Sequence, residues 1–79
     1  MDVNHLIQMA NRIGDFFAAM PDHSEALEGV ALHLEKFWEP RMRRQLLQGL
    51  EHGDAVGDTL HPLVVEAIQR HRAAIDPGK

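Results

Sequence analysis

Six histidines stand among 79 residues, and histidine is the side chain that most readily binds a metal or moves a proton near neutral pH. They are His5, His23, His33, His52, His61 and His71. Two ligands on a helix reach one ion when they lie three or four residues apart, on one face. No two of these histidines have that spacing, and His33 and Glu35, two apart, diverge. The pattern predicts no metal site. Five of the six are expected to be solvated or in loops. His71 falls on an apolar stripe and is expected to be a hydrogen-bonded histidine of a core or an interface.

Nucleophilic chemistry has little to draw on. The chain has no Cys, one Ser and one Thr. Ser24 sits where a helix cap belongs, and Thr59 falls in a loop. Neither comes with a recognisable His and acid arrangement, although such triads are recognised by geometry and not by sequence position. Gly53 and Gly57 follow no strand, so they make no phosphate-binding loop. Neither a catalytic residue nor a cofactor of the chain's own is expected.

The stretch Phe37-Trp38-Glu39-Pro40-Arg41-Met42-Arg43-Arg44 carries the most information. Residues 36–44 hold four basic side chains and one acid, a local charge of +3 in a chain of net −4. Arg41, Arg43 and Arg44 fall in a first helical turn, where the macrodipole prefers acids. Arg43 also points between Leu46, Leu47 and Leu50. Arginine beside Trp and Phe is enriched at the energetic centres of protein interfaces. Arg43 therefore has two readings, contact with a partner protein or a stem laid along the core edge with its head paired to a nearby Glu. Trp38 divides between core and interface. Phe16, at the rim of a wide stripe, points to an interface, and Leu32, off its helix's stripe, lends support. Together Phe16, Leu32, Trp38, Arg41, Arg43 and Arg44 form the expected partner surface.

Composition narrows the partner. With 44% hydrophobic and 25% charged residues, the chain has a globular balance. Its acidic remainder repels polyanions, so no nucleic acid is expected. No run approaches the ~20 apolar residues of a membrane span. The start Met-Asp-Val-Asn-His lacks a signal peptide's layout, and the absence of Cys fits a reducing compartment. The expected location is cytoplasmic, with no membrane partner. Folding is finely balanced: burial at roughly 25 cal/mol per Å² contributes about 120 kcal/mol, and ordering costs about as much. A partner surface would add to that balance.

The elements that position these residues read as helices throughout. Asp2 is placed to cap a first helix from Val3 to about Met20, with a seam of Val3, Leu6, Ala10, Ile13, Phe17 and Met20. Ile7, Met9 and Phe16 widen its apolar arc to roughly half the circumference, too much for one neighbour. Asp22 and Glu25 have the spacing of a capping box. They open a second helix whose stripe is Leu27, Val30, Ala31, Leu34, Phe37 and Trp38. A third runs from Pro40 to Glu51, with Gly53 as its stop. Residues 52–59 read as a loop. A fourth runs from Pro62 to about Ile75, with Leu60, Val64, Ala67, Ile68, His71 and Ile75 on one face. The fold class is all-α, a small bundle of three to four short helices. Residues 1–76 form a single helical domain and 77–79 a flexible tail.

Met9-Ala10-Asn11-Arg12-Ile13-Gly14-Asp15-Phe16-Phe17, followed by Met20-Pro21-Asp22, resembles the delta subunit of NAD-dependent, molybdenum-containing formate dehydrogenase. So does Phe37-Trp38-Glu39-Pro40-Arg41-Met42-Arg43, and Pro62-Leu63-Val64 is similar to the same family. The resemblance covers residues 6–68, and the joint occurrence of the first two motifs is specific. It implies a non-catalytic accessory subunit in a complex whose large subunits carry the molybdopterin, the iron–sulfur clusters and the flavin. Its partner would be the catalytic (large) subunit and its complex. It would act as a structural clamp or as a maturation factor during cofactor insertion. The alternative, from the residues alone, is a self-associating helical module, a homo-oligomer that buries the first helix's wide stripe against its own copy. His71 to Lys79 matches nothing in the family pattern.

Overall fold

Two aspartates set the first two helix starts. The computed structural model describes residues 2–51 and 59–78. In it the Asp2 carboxylate accepts from the backbone N–H of Asn4 (3.2 Å) and opens α1, Val3–Ala18. Asp22 accepts from the N–H groups of Ser24 (2.9 Å) and Glu25 (3.3 Å) and opens α2, His23–Phe37. Each satisfies donors that a helix start leaves free. Pro40 opens α3, Pro40–Glu51, and Pro62 opens α4, Pro62–Arg70. A last turn, α5, covers Arg72–Ile75. No strand occurs among the described residues. The fold is a small all-α bundle, as the periodicity predicts. The expected Gly53 stop, most of the 52–59 loop and Lys79 lie outside the described residues. Thr59, at the end of that loop, is helical.

Two boundaries differ from expectation. Helix α1 ends at Ala18, two residues early, and the N–H groups of Ala19 and Met20 bond back to the carbonyls of Phe16 and Phe17. Pro21 explains this, because it pushes the residue before it out of helical conformation. The fourth helix is broken at His71, which has φ −119° and ψ 31°. The break lets residues 72–75 turn back against α2. There the Ile75 side chain is fully buried. His71 is only half-buried, so Ile75 takes the core place that the stripe offered to both.

Helix α2 packs against α1, α4 and α5, and α1 packs against α2, α3 and α4. The shared core holds Leu6, Ile7 and Ala10 of α1, Leu27, Val30 and Leu34 of α2, Leu46 and Leu47 of α3, and Val64, Ala67 and Ile68 of α4. The buried line of α1 runs through Leu6, Ala10 and Gly14, and the expected seam residues Val3, Ile13, Phe17 and Met20 are only partly buried. Small side chains decide this. Where the His61 side chain comes close, Gly14 faces it, and larger residues stand on the flanks.

The close approach is between α1 and the start of α4. A Cβ on Gly14 would lie 2.6 Å from the Cγ of His61. One turn earlier, the Asn11 amide donates to the Thr59 carbonyl (2.9 Å) and accepts from the His61 N–H (2.7 Å). The His61 Nδ1 accepts from the N–H of Leu63 (3.1 Å), so this histidine caps α4. Its Nε2 lies 3.3 Å from Asp15. With Nδ1 accepting, the neutral ring carries its proton on Nε2, the side that faces Asp15. His61 thus lies outside the helices, in keeping with the expected solvated or loop histidine, but half-buried and engaged as a cap.

These contacts predict two stability changes. Gly14→Ala should destabilise the chain by about 1 kcal/mol or more, since overpacking outweighs alanine's better helix propensity. Ile75→Ala should cost about 2–5 kcal/mol. Urea titrations followed by circular dichroism measure both, and an unchanged midpoint for Ile75→Ala would mean that α5 is not docked in solution.

Candidate functional site

The six residues expected to face a partner are not brought together. Trp38 leaves α2 in an extended conformation, φ −91° and ψ 132°, and turns into the core, where it is 5% exposed. Phe16 is 71% exposed and Leu32 is 50% exposed. Arg41 is exposed, whereas Arg43 and Arg44 are half-buried.

Arg43 has a role inside the chain. Its Nη1 donates to the Ile75 carbonyl (3.1 Å), at the C-terminal end of α5. Its Nε is buried without a hydrogen-bond partner. A cation ill-placed at the start of α3 is well placed at the end of another helical turn, where carbonyls point outward. Arg44 lines a shallow cleft with Glu51, Arg72 and Asp76, and it is engaged within the chain. Arg72 pairs with Glu51 across that cleft and lies 3.8 Å from Asp76. Arg43 thus holds the chain's own C-terminal segment through Ile75, and Arg44 shares a cleft with that segment.

A different feature reaches the surface as a unit. Phe16 and Phe17 meet edge to face with centroids 5.0 Å apart. Phe17 lies 6.5 Å from the His33 ring, which lies 4.9 Å from Phe37. Phe37 is 72% exposed. The row crosses from α1 to α2 because Gly29 leaves room for the Phe17 ring. A Cβ there would lie 2.5 Å from it. Arg12, Ile13, Phe16, Phe17 and His33 line a groove of about 310 Å³. Such aromatic pairs contribute about 0.5–1.5 kcal/mol beyond burial, so the row is ordered by its own contacts.

Phe37 was expected in the α2 stripe, and sequence reading missed it as a surface residue. The signal was there in part: Phe37 and Trp38 are adjacent just before Pro40, so both cannot take the same core position. Leu32 belongs to another cleft, with Glu28, Glu35 and His71. Among the described residues no group of three or more His, Cys, Asp or Glu could hold a metal ion. His23 is bonded to Glu66 (2.9 Å). Ser24 donates its backbone N–H to the Asp22 cap. No described helix is long and apolar enough to cross a membrane.

A family model described as NADH-dependent formate dehydrogenase delta subunit FdsD matches residues 5–68. No curated protein and no solved structure matches the chain. The matched span includes both sequence motifs and ends before α5.

The Arg43 contact yields a test on the isolated chain. Arg43→Met keeps the stem and removes the charged donor, and should cost about 1.5–3 kcal/mol, the range for a hydrogen bond to a charged group. Denaturation followed by fluorescence of Trp38, the only tryptophan, reads this directly. A wild-type midpoint would show that the bond to Ile75 contributes nothing.

Proposed function

We propose that this chain, which belongs to the formate dehydrogenase delta-subunit family, is a non-catalytic accessory subunit. In this reading it binds the catalytic (large) subunit in the cytoplasm and supports assembly, stability or cofactor maturation of the complex. The family match across residues 5–68 carries the proposal. The residues are consistent with it. The histidines that the structure describes as bonded serve a helix cap and a surface hydrogen bond. The exposed rings of Phe16 and Phe37 are apolar surface that the described part of the chain leaves uncovered.

The physical role follows from size. A short chain has a thin margin between burial and ordering. Burying a Phe side chain fully contributes about 1.5–3 kcal/mol. Two such rings covered on binding would stabilise both this chain and the surface that covers it, by mass action on the folded form. A clamp would use that gain permanently. A maturation factor would use it while the cofactor is inserted and then leave.

The test is to express the large subunits with and without this chain and to separate both preparations by size exclusion. Molybdenum content and formate-dependent NAD reduction are assayed on the same fractions. Co-elution in fixed proportion is expected. Lower molybdenum without the chain would indicate maturation, and normal molybdenum with faster loss of activity would indicate a clamp. Separate elution with no difference between preparations would overturn the reading and favour a self-associating module.

A further inference from the structure

We propose that the aromatic row from Phe16 to Phe37, with Arg12 at its edge, is the face that docks on the partner subunit, and that it receives an apolar segment carrying one carboxylate. This rests on the accessory-subunit reading and says which surface performs it. The basic start of α3, which the sequence favoured, is largely committed within the chain: Arg43 holds Ile75, and Arg44 is engaged.

Three observations carry the assignment. The first is exposure. Phe16 and Phe37, the two ends of the ring row, are 71% and 72% exposed, and Phe16 also lines the groove. A small molecule is held by enclosure on most of its surface. Two rings exposed over most of their surface at the ends of one row fit a protein surface with matching sockets.

The second is order. The ring contacts and the room left by Gly29 fix Phe17, and Phe17 in turn supports Phe16 edge-on. Exposed rings that are already positioned lose little freedom on binding.

The third is charge. Arg12 is the one residue lining the groove that is charged at every ordinary pH, and no carboxylate lines it. Among the described residues Arg12 makes no ion pair. The nearest acid in sequence, Asp15, lies beside the His61 ring, 3.3 Å from Nε2. A second copy of this chain docking by a two-fold axis would set the same groove against itself and bring arginine towards arginine. A different chain with a carboxylate opposite Arg12 meets an unpaired cation instead. The Leu32 cleft on the other flank of α2 has the opposite character, with Glu28 and Glu35 beside the leucine.

The experiment co-expresses the large subunits with full-length variants of this chain and measures the fraction that co-elutes. Phe16→Glu and Phe37→Glu alter side chains already in water, so circular dichroism should be unchanged while each lowers retention about tenfold or more. Arg12→Glu should lower it several-fold and Arg12→Lys much less. Leu32→Glu should bind as wild type. Wild-type retention by both phenylalanine variants would overturn the face while leaving the subunit reading intact. Loss only with Leu32→Glu would move docking to the other flank. Failure of the unaltered chain to co-elute would remove the subunit reading and this face with it. Sedimentation supplies the remaining outcome: an isolated dimer that Phe16→Glu dissociates would make the occupant a second copy, and a monomer supports a different chain.

Discussion

The side-chain amide of Asn11 bridges two backbone groups of a distant segment, and the bundle depends on that bridge. It accepts from His61 and donates to Thr59. By doing so it sets the start of α4 against α1, where Gly14 offers no Cβ to hold the chains apart. Once α4 begins there, Leu63, Val64, Ala67 and Ile68 meet the core faces of α1 and α2. A chain this short has few apolar contacts to spare, so the angle at which one helix enters decides how much of the core can form. A half-buried amide with both its donor and its acceptor used is also directional, which hydrophobic contact is not.

The same region accounts for much of the first family motif. Asn11, Gly14 and Asp15 all serve the α1–α4 junction. Phe17 lies across Gly29, and Arg12, Ile13 and Phe16 face the groove. The two sides of one helix thus divide the work. One side fastens the bundle, and the other presents an aromatic surface. The second motif divides in a similar way. Trp38 enters the core, Pro40 begins α3, Arg43 reaches across to Ile75, and Phe37 remains outside. A residue that looks like a partner contact in sequence can be consumed by the chain's own C-terminal turn. Arg43 is consumed in this way because the carbonyl end of a helical turn lies within its reach.

The C-terminal turn lies beyond the span that the family model matches, yet it is fully integrated. Ile75 is buried, its carbonyl is held by Arg43, and Arg72 pairs with Glu51. A break at His71 makes this possible. A continuous helix would carry residues 72–75 straight on from α4 and not back along α2. The gain from burying one isoleucine, about 1.5–3 kcal/mol, exceeds the cost of losing a hydrogen bond or two at an exposed bend.

The sequence by itself determined the elements and their starts. Asp2 and Asp22 cap because their carboxylates satisfy helix donors locally, and Pro40 and Pro62 open helices because their rings fix φ. These are interactions within a few residues, so they are legible without a fold. The exposure of Phe16 was legible for a similar reason, from its place at the rim of a helical arc. What only the tertiary structure decided is which apolar residues share a line and which charges find a partner. The buried line of α1 shifted to Ala10 and Gly14, and at Gly14 it is the His61 side chain that comes close. Arg43 turned inward because Ile75 came within reach, His61 was drawn to α1 because its N–H bonds Asn11, and Phe37 was left outside when Trp38 took the core. Each outcome joins residues 30 or more positions apart, or depends on such a junction, and helical periodicity reports only on neighbours three and four residues away.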